Sequence, residues 1–197
     1  MMTRLVALFL IVFLISSCGQ RSEKQSSQKE ESVKQEYLQK GGEIANLTQS
    51  ELLKNVSNAM KKGGAGYAIE FCNLRALSLK DSLSQVHNCQ IRRIASKYRN
   101  PVDKPQTEKE KEQLNQYQLA YNKGEALKPE VYLYSDRIEY YQPITMAMEA
   151  CLKCHGDPGK QISEETLEKI KAHYPNDLAT GFAMNDFRGA WKITFLK

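Results

Sequence analysis

Five consecutive residues, Cys151-Leu152-Lys153-Cys154-His155, set two thiols and an imidazole within little more than one helical turn of chain. That order suits covalent attachment of a c-type haem: the thiols add across the two vinyl groups, and the histidine that follows becomes the proximal iron ligand. C-x-x-C by itself also occurs in zinc sites and in thioredoxin-like dithiols. Zinc needs two further soft ligands at short spacing, and this neighbourhood offers Gly156, Asp157, Pro158 and then the distant His173. A redox dithiol needs a strand running into a helix N-terminus, and the residues ahead of Cys151 do not spell one out. The motif therefore predicts one covalent haem c on Cys151 and Cys154, with His155 on the iron.

The remaining cysteines are Cys18, Cys72 and Cys89. Cys18 follows Arg4 and the apolar run Leu5 to Ile15, which is too short to span a bilayer comfortably and reads as an export signal over residues 1–17. Ile15-Ser16-Ser17-Cys18 resembles a lipobox, so Cys18 is expected to be diacylated and to become the mature N-terminus. Acyl chains there supply a membrane anchor on the periplasmic side. Export and a c-type haem agree, because that haem is attached outside the inner membrane. In an oxidising compartment Cys72 and Cys89 have two readings, a disulfide or iron ligation by one of them.

With 197 residues the chain has room for one ordinary domain and extra segments. Its net charge of +5 is spread among interspersed acids and bases. Nothing in that pattern asks for nucleic acid. The polar stretch 18–42 is too poor in apolar residues to fold alone and is expected to be a tether, coil-like and turning helical near its end. Residues 43–197 form the expected haem domain.

The elements that must position the motif can be read in order. Thr48 to Glu51 has the spacing of a capping box and opens a helix through Met60 that Gly63-Gly64 stops. A second helix carries Ile69, Cys72, Ala76, Leu79 and Leu83 on one stripe, which turns Cys72 towards the core. Cys89 to Ser96 alternates, with Ile91 and Arg93 on one side of a strand and Arg92 and Ile94 on the other. Thr107 to Glu110 is a second capping box, opening a charged helix with Leu114, Tyr117 and Tyr121 that Gly124 ends. Val131 to Gln142 reads as a hairpin turning at Ser135-Asp136-Arg137. A short helical segment from Ile144 leads into the motif, and Ser163 caps a helix ended by Pro175. Phe182 to Met184 and Phe187 to Phe195 form an expected closing hairpin. The fold class is α+β, a small antiparallel sheet with helices to one side.

Several blocks resemble one family in order: Ala68 to Cys72 (AIEFC), Arg92 to Pro101 (RRIASKYRNP), Tyr141 to Ile144 (YQPI), Cys151 to Gly156 (CLKCHG) and Asp177 to Phe182 (DLATGF). Together they resemble the monohaem c-type, PAS-like domain family of Tll type known from cyanobacteria, over roughly Leu47 to Lys197. The resemblance implies a PAS-like antiparallel sheet with flanking helices and a haem held against it. It also implies that Cys72 is the distal axial ligand, opposite His155. Cys89 departs from the family pattern and leaves the disulfide reading open.

Arg92, Arg93 and Arg99 are candidates to pair with the haem propionates, because guanidinium forks match carboxylates. Strand alternation lets one of Arg92 and Arg93 face the haem. Tyr141 and Pro143 are candidate pocket residues by their closeness to Cys151 in sequence, and Met146, Met148 and Met184 are alternative iron ligands. The expected function is electron transfer or redox response by an exported, membrane-anchored protein with a redox partner. The alternative is a haem-based gas or redox sensor working through a separate signalling protein. An enzyme such as a peroxidase needs an open iron site and a distal acid-base group. His87 and His173 are the spare histidines and neither lies in a distal motif, so no catalysis is expected.

Overall fold

The computed structural model describes residues 17–197, with the side chains of 25–72 and 78–197. The expected leader, apart from Ser17, and the Cys18 side chain lie outside the described residues. The chain divides into two units, Met1–Glu36 and Tyr37–Lys197. The folded body thus begins at Tyr37, six residues or so before the boundary expected from composition. Among the described residues no helix is long and apolar enough to cross a membrane.

Helix α1 is Ser17–Val86, interrupted at Gly63 and Gly64, and Gly64 takes φ 72°. A side chain at that angle is strained, so the Gly-Gly pair that was expected to stop a helix here breaks it as the residues predict. The helix restarts at once and carries Cys72 beyond the break. Two expectations about its first half are overturned. The stretch from Gly19 to Lys40, expected to be coil-like except near its end, is helical throughout: Glu, Lys and Gln are good helix formers, and Lys34–Glu30 (2.9 Å) and Gln35–Glu31 (3.0 Å) pair one turn apart. Thr48 starts nothing. It lies mid-helix, its hydroxyl donating back to the Ile44 carbonyl at 2.7 Å, which satisfies the side chain without a cap.

The sheet contains β1 (Gln90–Ile94), β2 (Glu130–Leu133), β3 (Arg137–Thr145) and β4 (Phe187–Leu196) in the order β1-β4-β3-β2, all antiparallel. β2 and β3 form the expected hairpin. The expected closing hairpin does not form, because β4 is central. Every residue from Phe187 to Phe195 is buried, and both edges of the strand are occupied, by β1 and β3. Phe182 to Met184 instead makes a loop whose Phe182 N–H donates to the His155 carbonyl.

Helices cover both faces of this sheet, where the sequence suggests one. On one face lies α2 (Glu108–Asn122), whose N-cap Thr107 accepts from Glu110 N–H as expected. Leu114 and Tyr117 pack there with Ile94, Tyr141, Phe187 and Ala190. Glu110 is wholly buried in this layer and bonds Arg92 at 2.8 Å and Lys192 at 3.1 Å. The other face receives α1: Tyr37 meets Phe195 edge-on at 4.9 Å, and Trp191 Nε1 donates to Gln49 Oε1 at 2.9 Å. The contact is closest at Gly41. A Cβ there would lie 2.3 Å from the Tyr140 ring, and Tyr140 is itself fully buried.

That proximity predicts opposite outcomes at adjacent glycines. Gly41→Ala forces helix and sheet apart and is expected to destabilise by about 1–3 kcal/mol in urea unfolding, despite alanine's helical preference. At Gly42 the nearest atom to a new Cβ is Tyr140 Oη at 3.4 Å, so Gly42→Ala is expected to be neutral or to stabilise by up to about 1 kcal/mol. Equal effects at both positions would remove close packing as the cause.

Candidate functional site

The motif residues occupy α3 (Glu149–His155), a helix of two turns. Spacing of three and four residues puts Cys151, Cys154 and His155 on one side of it. That side faces a cavity of about 750 Å³, a size common for cofactor sites, between α1, α3, the loop after β1 and one face of the sheet. Leu52, Val56 and Met60 of α1 give it an apolar wall. Beyond the Gly63-Gly64 break, Ile69 packs with Ile170 and Tyr174 of α4 (Glu164–His173) and its flank, and Lys169 of α4 pairs with Glu70. These contacts hold the second half of α1 so that Cys72 lines the same cavity as Cys151, Cys154 and His155.

Cys72 and Cys89 are both free thiols and are not joined. Cys72 borders the cavity, with Arg93 and Arg99 near enough to oppose the upward push that burial gives its thiol. Cys89 lies outside the cavity lining, and its charged neighbour is Lys40. Burial raises the Cys154 thiol to about 11, so without a metal or a thioether it stays protonated at neutral pH.

His155 has a fixed tautomer. Its Nδ1 lies 2.7 Å from the Ala179 carbonyl, which can only accept, so Nδ1 carries the proton and Nε2 keeps a free lone pair. Burial, with help from the cations Arg99 and Arg188, holds the imidazole well below its ordinary range. It is therefore neutral and fit to ligate a metal.

The arginines divide by face as strand alternation requires. Arg93 stands opposite Trp191 on the cavity face, while Arg92, opposite Lys192, points to α2 and bonds Glu110. Arg92 is thus excluded from the site. Arg93 lines the cavity but is committed to Asp103 through bonds of 2.9 and 2.6 Å. Arg99, 6% exposed, grips both oxygens of Asp177 at 3.1 and 3.2 Å and also donates to the carbonyls of Cys154 (2.6 Å) and Ala179 (3.2 Å). It frames the histidine. Tyr141 and Pro143 are corrected too: both project to the α2 face, where the Tyr141 hydroxyl donates to Glu139 at 2.8 Å. Trp191, Ile144 and Met146 line the cavity from the sheet side instead. Of the three methionines, Met146 and Met148 reach the lining and Met184 does not.

One candidate site residue escaped the sequence reading. Arg188 on β4 is 5% exposed and lines the cavity; its Nη1 donates to the Lys97 carbonyl at 2.8 Å, but its buried Nε and Nη2 have no partner. Burial beside Arg93 and Arg99 pulls it down from its ordinary range. An isolated arginine in an Asp-Phe-Arg-Gly stretch carries no motif. The available signal was its place in a strand that is otherwise apolar on the cavity side.

Two opposite responses follow from these pairings. Arg188→Leu removes buried unsatisfied donors and is expected to stabilise the ligand-free chain by about 1–3 kcal/mol. Arg99→Leu strands the Asp177 carboxylate and is expected to cost about 3–5 kcal/mol. Urea midpoints for the two variants that move in the same direction would contradict this assignment.

The comparisons with known proteins agree with this architecture. The crystal structure of the cyanobacterial heme-protein Tll0287 matches with a TM-score of 0.60 and 22% identity, covering 81% of this chain and 96% of that one. No curated protein matches. The family model described as Tll0287-like, Tll0287, matches residues 20–195. A match over that much of the sequence means that the chain belongs to the Tll0287-like family.

Proposed function

We propose that the protein binds one haem c through Cys151 and Cys154, with His155 and Cys72 as its axial ligands, and works in electron transfer or redox response. The observation that carries this reading is the meeting of both motif thiols, the Nε2 face of a neutral histidine and a third thiol on one cavity. A thiol far away in sequence has no other evident reason to be brought there. The resident group also fits the charge. Arg188 offers two unpaired donors in a buried setting, which suits a propionate carboxylate.

A bound haem supplies a one-electron couple. The chain's own residues fix its surroundings. The Ala179 carbonyl orients His155, while Leu52, Val56 and Met60 would keep water from one wall and Arg188 would neutralise an acidic substituent. Cys72 as a thiolate would lie near Arg93 and Arg99, whose charges favour its ionised form against burial. Export by the residues 1–17 leader and anchoring through a lipid on Cys18 complete the reading, with a redox partner at the membrane surface.

Two measurements test it. Denatured protein from cells that can attach haem c is expected to keep the mass of one haem, and Cys72→Ala is expected to change the ferric absorption and electron paramagnetic resonance spectra strongly while Cys89→Ala leaves them alone. Apoprotein mass, or equal spectra for the two variants, would overturn the haem or its distal ligand respectively. Separately, Cys18→Ala is expected to release the protein from membranes into the soluble fraction. Retention of that variant on membranes, with no labelled fatty acid in the wild type, would remove the lipid anchor.

A further inference from the structure

The Ala179 carbonyl accepts from two donors: His155 Nδ1 at 2.7 Å and Arg99 Nη2 at 3.2 Å. A carbonyl oxygen has two lone pairs, so both bonds can exist together. The same Nη2 reaches the Cys154 carbonyl at 2.6 Å, which belongs to the peptide group leading into His155. Asp177 closes the arrangement. Its Oδ1 accepts from Arg99 Nε at 3.1 Å and from the Ala179 N–H at 3.0 Å, and its Oδ2 accepts from Arg99 Nη2 at 3.2 Å. One buried ion pair thus holds the carbonyl that orients the imidazole from both ends of its own residue, and the backbone of the imidazole as well.

The geometry points to Arg99 as a positioning residue that sets the electron-donating strength of His155, an inference that rests on the haem reading above. A backbone carbonyl that accepts only from Nδ1–H makes the imidazole more basic and a better donor. A guanidinium on the same oxygen draws density from it and competes for its lone pairs, so the Nδ1 proton is held more firmly by the ring. The imidazole then donates less to the metal and the oxidised state is less favoured. Arg99's charge also acts on His155 directly, helping to lower the imidazole, and a lysine in its place retains that charge. The shared carbonyl is the part of the influence that depends on the guanidinium's geometry and not on its charge alone.

Arg99→Lys is the discriminating variant, because it keeps the charge beside Asp177 but a single ammonium cannot span the carboxylate and both carbonyls. In the haem-loaded full-length protein its midpoint potential is expected to shift to a more negative value than wild type, with an altered low-spin electron paramagnetic resonance signal at unchanged haem content. Asp177→Asn leaves the guanidinium on the carbonyl, removes its counter-charge, and is expected to shift the potential the other way. A lysine variant that loses stability in urea but keeps the wild-type potential and spectrum would reduce Arg99 to a structural brace and overturn the inference. Failure of the underlying haem reading shows differently: the wild-type protein would then carry no haem, or His155→Ala would leave its spectrum unaltered.

Discussion

The buried pair of Arg99 and Asp177 is the interaction on which the arrangement of the site depends. It joins three segments that the chain visits far apart: the loop leaving β1, the C-terminal end of α3, and the turn at 177–179 that leads towards β4. A buried ion pair is a poor source of net stability when measured against apolar residues of equal volume. Its value here is geometric. Two oxygens and three N–H groups fix one rotamer of Arg99, and that rotamer reaches two main-chain carbonyls at once. A salt bridge on the surface would leave those carbonyls free to move with their loops.

The sheet separates two kinds of interior. On the α2 side a connected polar layer is satisfied within itself: Glu110 takes Arg92, Lys192 and the Gln106 N–H, while Glu139 takes Arg137, Lys192 and the Tyr141 hydroxyl. Such a layer specifies the register of β1, β3 and β4 because a one-residue slip would move every charge to the other face. On the α1 side the polar groups are left incomplete, at Arg188 above all. The break at Gly63-Gly64 makes this side hollow. A straight helix would pass the sheet on one line, whereas the broken one gives an apolar wall from its first half and Cys72 from its second.

Much of this was written in the local sequence. The C-x-x-C-H motif, the caps at Thr107 and Ser163, the alternation through Arg92 and Arg93, and the Gly-Gly break all act within a few residues, where periodicity and side-chain chemistry decide the outcome. What misled were features that are decided at long range. Thr48 has the spacing of a cap, but α1 arrives already formed and docked through Gly41. Phe182 to Met184 has strand-like residues, but β4 finds both its neighbours elsewhere. Tyr141 and Pro143 stand close to Cys151 along the chain and yet on the wrong face of β3, since closeness in sequence says nothing about which side of a sheet a residue takes. Arg188 is legible only when its partners, or their lack, are visible.

The charges around the cavity carry the reasoning one step further. Arg93 is matched by Asp103 and Arg99 by Asp177, so Arg188 is the cation of this group left without a carboxylate. An unmatched guanidinium in a cavity of low polarity is costly, and a fold that keeps one there without an anion would be more stable with an apolar side chain in its place. The imbalance has a direction. It disfavours a neutral occupant and favours a flat apolar group bearing carboxylates, whose body meets Leu52, Val56 and Met60 while an acidic edge meets Arg188. With the proposed haem bound, the motif thiols and the arginine would recognise different parts of one molecule: the former would hold its apolar rim, and the latter would fix which way round it lies.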